Sequence, residues 1–116
     1  MSRMGEPTVI ALCGAADVAP GSIRQAMLDS GHLLAIYNVD GEWFVTDDSC
    51  THGAASLSEE GTLSGHLVEC GWHNGGFDVR TGEACAMPCT EPLRSWPVQI
   101  VDGQVCVLDS GTHSLV

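Results

Sequence analysis

The stretch that decides the fold is "HLLAIYNVDGEWFVTD", residues 32–47. Two apolar, β-branched and aromatic runs flank a single Asp-Gly pair at 40–41. Asp-Gly accepts the positive φ angles of the tight two-residue turn that suits the twist of antiparallel strands, so the stretch reads as a hairpin. Residues 96–109, "WPVQIVDGQVCVLD", repeat the pattern around Asp102-Gly103. Working outward, "TVIALC" (8–13) is another short β-branched run, and "GSIRQAML" (21–28) follows a Pro20-Gly21 turn. The segment around "IRQAMLDSG" has some helical character but is too short to alter the class. Closely spaced short strands of this kind predict an all-β sandwich or barrel.

Between the two hairpins, from about 48 to 90, the sequence changes character. It is rich in glycine, and its strands look brief: "HLVEC" (66–70) and "GFDVR" (76–80). This region reads as a small loop-rich lobe carried on a β base. The expected organisation is one domain over 1–116, with the tail "SGTHSLV" (110–116) frayed. No internal repeat is present.

Charge narrows the partners. Fifteen acidic against four basic residues give a net charge of −11, so nothing here would neutralise a run of phosphates and nucleic acid is disfavoured. The acidity favours solubility and steering toward basic partner surfaces. No apolar run approaches a membrane span, and "MSRMGEPTVI" lacks the pattern of a secretory signal. A soluble cytoplasmic protein is expected. In that reducing setting the six cysteines (Cys13, Cys50, Cys70, Cys85, Cys89, Cys106) read as metal ligands or buried small apolar residues rather than a disulfide framework.

The chemistry sits in the lobe. "CTH" (50–52) and "CGWH" (70–73) each pair one Cys with one His, at different spacings and seventeen residues apart. Thiolate and imidazole together suit zinc, copper or iron–sulfur centres. Structural zinc favours a Cys pair and a His pair, whereas a mixed pair in each loop suits a two-iron object. A zinc-binding Cys2His2 module is the alternative on residue chemistry alone.

C-x-H followed after seventeen residues by C-x-x-H resembles the Rieske [2Fe–2S] signature. "CTHGAASLSEEGTLSGHLVECGWHNGGFDVRTGEACAMP" is similar to the cluster-binding region of Rieske ferredoxins that serve bacterial aromatic-ring-hydroxylating dioxygenases of the naphthalene and biphenyl type. The resemblance implies a Rieske-type β sandwich base bearing a cluster lobe at one end. It implies that Cys50 and Cys70 bind one iron of a [2Fe–2S] cluster and His52 and His73 the other. It further implies a monomeric electron carrier and not an enzyme. A flavin-containing, NAD(P)H-dependent ferredoxin reductase would donate the electron, and a Rieske non-haem iron terminal oxygenase would receive it. A Rieske-like subunit of another oxidoreductase, such as a small nitrite reductase subunit, is the alternative within the resemblance.

Departures from the respiratory Rieske pattern bear on the potential. Where that pattern has a second Cys in each loop, joined as a disulfide, this chain has Ala55 and Trp72. Where it has Ser and Tyr hydroxyls donating toward sulfur, this chain has Gly75 and Phe77. Donors to sulfur stabilise the more negative reduced state, so their loss predicts a potential toward the bottom of the Rieske range of about −150 to +300 mV. The lobe glycines Gly71, Gly75 and Gly76 allow close backbone approach, and Pro88 resembles the proline-bearing cover loop of the family. Cys85 and Cys89 are expected to be packed free thiols, and His32, His66 and His113 surface or structural residues. Trp72 reads equally as an exposed docking aromatic or a shield.

Overall fold

The computed structural model describes residues 8–49, 56–70, 75–86 and 92–109. Its elements are almost all strands, in three antiparallel sheets. β1 (Thr8–Gly14), β10 (Val98–Val101) and β11 (Gln104–Asp109) form the first sheet, in the order β1-β11-β10. β2 (Ile23–Met27), β3 (Leu33–Val39), β4 (Glu42–Asp47) and β9 (Ser95–Trp96) form the second, in chain order. The lobe sheet is β5 (Gly61–Ser64), β6 (Leu67–Cys70), β7 (Gly76–Asp78) and β8 (Ala84–Ala86). The all-β architecture is the one expected. Among the described residues no helix is long and apolar enough to cross a membrane.

Both Asp-Gly pairs form the turns their chemistry suggests. Val39 pairs with Glu42 and Val101 with Gln104, each across a two-residue loop. Asp40 and Asp102 both have φ of 51°, followed by Gly41 at 91° and Gly103 at 77°. Positive φ at both central positions is the type I′ geometry. Asn38 fastens the first turn: its Oδ1 accepts from the Gly41 N–H at 2.8 Å, and its Nδ2 donates to the Val18 carbonyl at 2.8 Å.

The segment with helical character, Ile23–Met27, is a strand paired with β3 from Ile23↔Tyr37 to Met27↔Leu33. Arg, Gln, Ala and Met favour helix locally, but over five residues that preference is weak, and pairing to β3 decides. The true helix is a single turn, α1 (Leu57–Glu60). Its N-cap Ser56 accepts from the Glu59 N–H at 3.3 Å. β5 and β8 lacked a clear pattern in the sequence. β5 joins β6 through Gly65-His66, with Gly65 at φ 59° as the first position of a type II′ turn requires.

The middle sheet serves two cores, and this explains the unbroken apolar run of β3. Leu34 and Ile36 face the first sheet, in a cluster with Val18, Val45, Trp96, Val105 and Val107. Ala35, Tyr37 and Val39 face the lobe, in a cluster with Leu57, Val68, Cys70, Phe77, Val79 and Leu93. Alternate side chains therefore leave water on both faces. Each fully buried large side chain contributes roughly 1.5–3 kcal/mol relative to exposure. The Tyr37 hydroxyl is satisfied by Thr46 Oγ1 at 2.8 Å. Burial pushes its phenol pKa up; the Thr46 hydrogen bond opposes this, and the Asp48 carboxylate adds to it.

Candidate cluster site

Of the four residues expected to bind the cluster, Cys70 lies in the described structure. Cys50, His52 and His73 lie outside the described residues, as do Ala55, Gly71, Trp72, Pro88, Cys89, His113 and the tail 110–116. Among the described residues no group of three or more His, Cys, Asp or Glu side chains gathers to hold a metal ion.

The described residues frame these segments. Ser49 and Ser56 pair as an antiparallel bridge, closing the base of the segment that carries Cys50 and His52. Ser56 caps α1, and the next residue after the helix, Gly61, donates its N–H to the Leu57 carbonyl. Gly61 in turn pairs with Cys70. A Cβ on Gly61 would sit 2.5 Å from the Leu57 carbonyl oxygen, so only glycine allows α1 to run this closely into β5. Five residues beyond Ser56, the chain is thus paired alongside Cys70.

Cys70 ends β6. Its N–H donates to the Gly75 carbonyl at 2.6 Å, closing the base of the segment that carries His73. The residue is 1% exposed and belongs to the apolar cluster of Leu57, Val68 and Phe77. Gly75 and Gly76 are buried, and Gly76 pairs with Ala86 at the end of β8, where the proline-bearing segment begins. A buried thiol at a strand end, in a residue hydrogen-bonded through its own N–H to the buried Gly75, fits an iron–sulfur centre. Phe77 is fully buried, so the position of the respiratory tyrosine is filled by a ring without a donor.

A cleft of about 570 Å³ adjoins the bases of the first and third segments, lined by His32, Leu33, Asp47, Ser49, Pro92 and Arg94, among others. Its polar groups are interlocked. Asp47 Oδ1 lies 2.8 Å from His32 Nε2 and accepts from Trp96 Nε1 at 3.0 Å. The Arg94 guanidinium stacks 3.7 Å above the Trp96 ring. His66 bonds Glu42 at 3.0 Å. His32 and His66 are therefore structural, as expected.

Two residues differ from the reading of the sequence. Cys85 is exposed, its Sγ donating to the Glu83 carbonyl at 3.5 Å, because β8 is the edge of its sheet; it is not packed. Asp48 was not singled out at all, yet it is 1% exposed and accepts three hydrogen bonds at the base of the first segment. The only signal in the sequence was a second acid directly after the apolar run of a strand.

Comparison with known proteins defines the class. Residues 8–97 match the model of the Rieske [2Fe–2S] domain family, most of the chain, and the chain belongs to that family. The ferredoxin component of the p-cumate 2,3-dioxygenase system of Pseudomonas putida is 60% identical over 105 residues, covering 90% of this chain and 88% of the relative. Among solved structures, the Sphingomonas yanoikuyae B1 ferredoxin superposes with a TM-score of 0.82 at 45% identity, covering 86% of this chain and 97% of that one. A ferredoxin–oxygenase complex of carbazole 1,9a-dioxygenase matches with a TM-score of 0.80 at 43% identity, covering 85% and 91%. The chain is a [2Fe–2S] electron carrier of the ferredoxin kind, the non-catalytic component of an aromatic dioxygenase system. The zinc alternative falls with this result.

Proposed function

We propose that the chain works as a single-domain, monomeric cytoplasmic carrier, taking single electrons from a flavin-containing NAD(P)H-dependent reductase and delivering them to a Rieske non-haem iron terminal oxygenase. The observation that carries this reading is the 60% identity, over 90% of the chain, to a dioxygenase ferredoxin component. The carbazole ferredoxin in complex with its oxygenase supports the choice of acceptor. The aromatic compound is selected by the oxygenase, and this chain has no need to touch it.

Cys50 and Cys70 would hold one iron and His52 and His73 the other. Bound there, the cluster supplies a one-electron couple. Two neutral imidazoles in place of two thiolates remove two negative charges, which eases electron uptake in a low-dielectric setting. Gly75 and Phe77 offer no hydroxyl to the sulfurs, which places the potential toward the low end of the range. The deciding experiment is visible and EPR spectroscopy of the purified protein before and after dithionite, followed by a redox titration. We expect a rhombic signal of low average g, typical of imidazole-bound [2Fe–2S], that is lost in Cys50→Ala and His73→Ala. The midpoint should lie toward the bottom of about −150 to +300 mV; one near the top would overturn the hydroxyl argument.

A further inference from the structure

A buried carboxylate is costly unless donors replace its water. Asp48 draws donors from two other parts of the chain. Its Oδ2 accepts from Gln25 Nε2 on β2 at 2.9 Å and from Ser56 Oγ at 2.6 Å. Its Oδ1 accepts from the Ser58 N–H at 2.8 Å, in the first turn of α1. Its main chain is held as firmly: the Asp48 N–H donates to the Leu33 carbonyl at 3.1 Å, and the Leu57 N–H donates to the Asp48 carbonyl at 2.8 Å. The ion pairs among the described residues (His32–Asp47, His66–Glu42, Arg80–Asp78) do not include it, and the donors that reach it from those residues are all uncharged.

These contacts span the first segment from one side of its base to the other. Asp48 precedes the segment; Ser56, Leu57 and Ser58 follow it; the Ser49↔Ser56 bridge lies between. Chain geometry puts the Asp48 Cα within about 7 Å of the Cys50 Cα. A negative charge on a buried side chain two residues from a ligand, with no cation beside it among the described residues, opposes the addition of an electron. We propose that Asp48 is the positioning residue of the first ligand-bearing segment, clamping its base through Gln25, Ser56 and the Ser58 N–H, and that its charge holds the reduction potential of the centre down. This rests on Cys50 and His52 as cluster ligands.

The test uses the cluster-loaded protein at one fixed pH. Asp48→Asn and Ser56→Ala are compared with Val107→Ala, which creates a cavity in the other core, where Val107 is fully buried. Three quantities are read: bleaching of the visible spectrum by a chelator, the midpoint potential, and the melting temperature. Asp48→Asn and Ser56→Ala should lose cluster about tenfold faster than the parent, the scale typical of supporting contacts around metal ligands. Asp48→Asn should raise the midpoint, because a charge is gone; Ser56→Ala should lower it, because the charge stays and loses a donor. Val107→Ala should melt lower yet keep the parent's midpoint and, at a matched interval below its own melting temperature, the parent's bleaching rate.

Wild-type behaviour of Asp48→Asn in either bleaching or midpoint, or bleaching no faster than Val107→Ala at matched interval, overturns the proposal. Should Asp48→Asn fail to fold, Ser56→Ala and Gln25→Leu decide, since both keep the charge and must bleach faster and titrate lower. Cys50→Ala separates the two levels. If it loses the imidazole-type EPR signal while Asp48→Asn behaves as the parent, only the positioning role fails; if it keeps that signal, the ligand assignment fails.

Discussion

Cys13, Cys85 and Cys106 carry the same thiol in three different settings. Burial pushes the Cys13 pKa up, with Arg24 opposing and Asp17 reinforcing the shift, and Cys106 is buried at 2% exposure. Cys85 stands exposed on an edge strand. Because the thiolate is the reactive species and must be reached, native-state alkylation should modify Cys85 first of these three, the half-buried Cys13 more slowly, and Cys106 only after unfolding. Peptide mapping of a time course checks the order, and early labelling of Cys106 would contradict the buried position of β11. At this scale the sequence was uneven. The Cys/His spacing announces its chemistry because coordination demands those residue types. Asp48 does not, because its burial depends on Gln25 and α1, neither of which a local reading of "TDDSC" brings near it.

Among the elements, the two hairpins were legible for a stereochemical reason: Asp-Gly is one of the few dipeptides that tolerates positive φ twice in succession. β2 was ambiguous because its residues favour helix and only the partner strand overrides them. β5 and β8 are too short to show alternation, and their pairing comes from the lobe sheet as a whole. The turns also differ in cost. Gly41 has φ of 91° with open space around it, so Gly41→Ala pays only for backbone strain, about 1 kcal/mol or ~4 °C in melting temperature. Gly82, at φ 85°, packs against Leu93: a Cβ there would overlap the Leu93 carbonyl, and the Leu93 N–H donates to the Gly82 carbonyl at 2.7 Å. Gly82→Ala should lower the melting temperature at least twice as far, and calorimetry of both variants tests the ranking.

Over the whole molecule, fifteen acids against four basic residues set a negative field that reaches beyond any single contact. Asp29, Asp40, Glu42, Glu59, Glu69, Glu83 and Asp102 are all exposed. Exposed charges are screened over about 8 Å at physiological ionic strength, so the rate of reduction by a reductase with a basic docking face should fall as salt rises. Stopped-flow measurements over a salt series check this, and a flat response would leave the acidity a role in solubility only. The all-β class was legible at this scale because hairpins are local, whereas the double use of the middle sheet was not, since an apolar run does not say what covers each face. That double use has a consequence for counting. A slip of one residue along β3 would send Leu34 and Ile36 toward the lobe and Ala35, Tyr37 and Val39 toward the first sheet, misfitting two cores at once. The hairpin is therefore indexed like a vernier, read from both sides. Because β4 is paired to β3 residue by residue as far as Leu34↔Asp47, the place where the chain leaves the sheet toward Cys50 is fixed to a single step of about 3.3 Å.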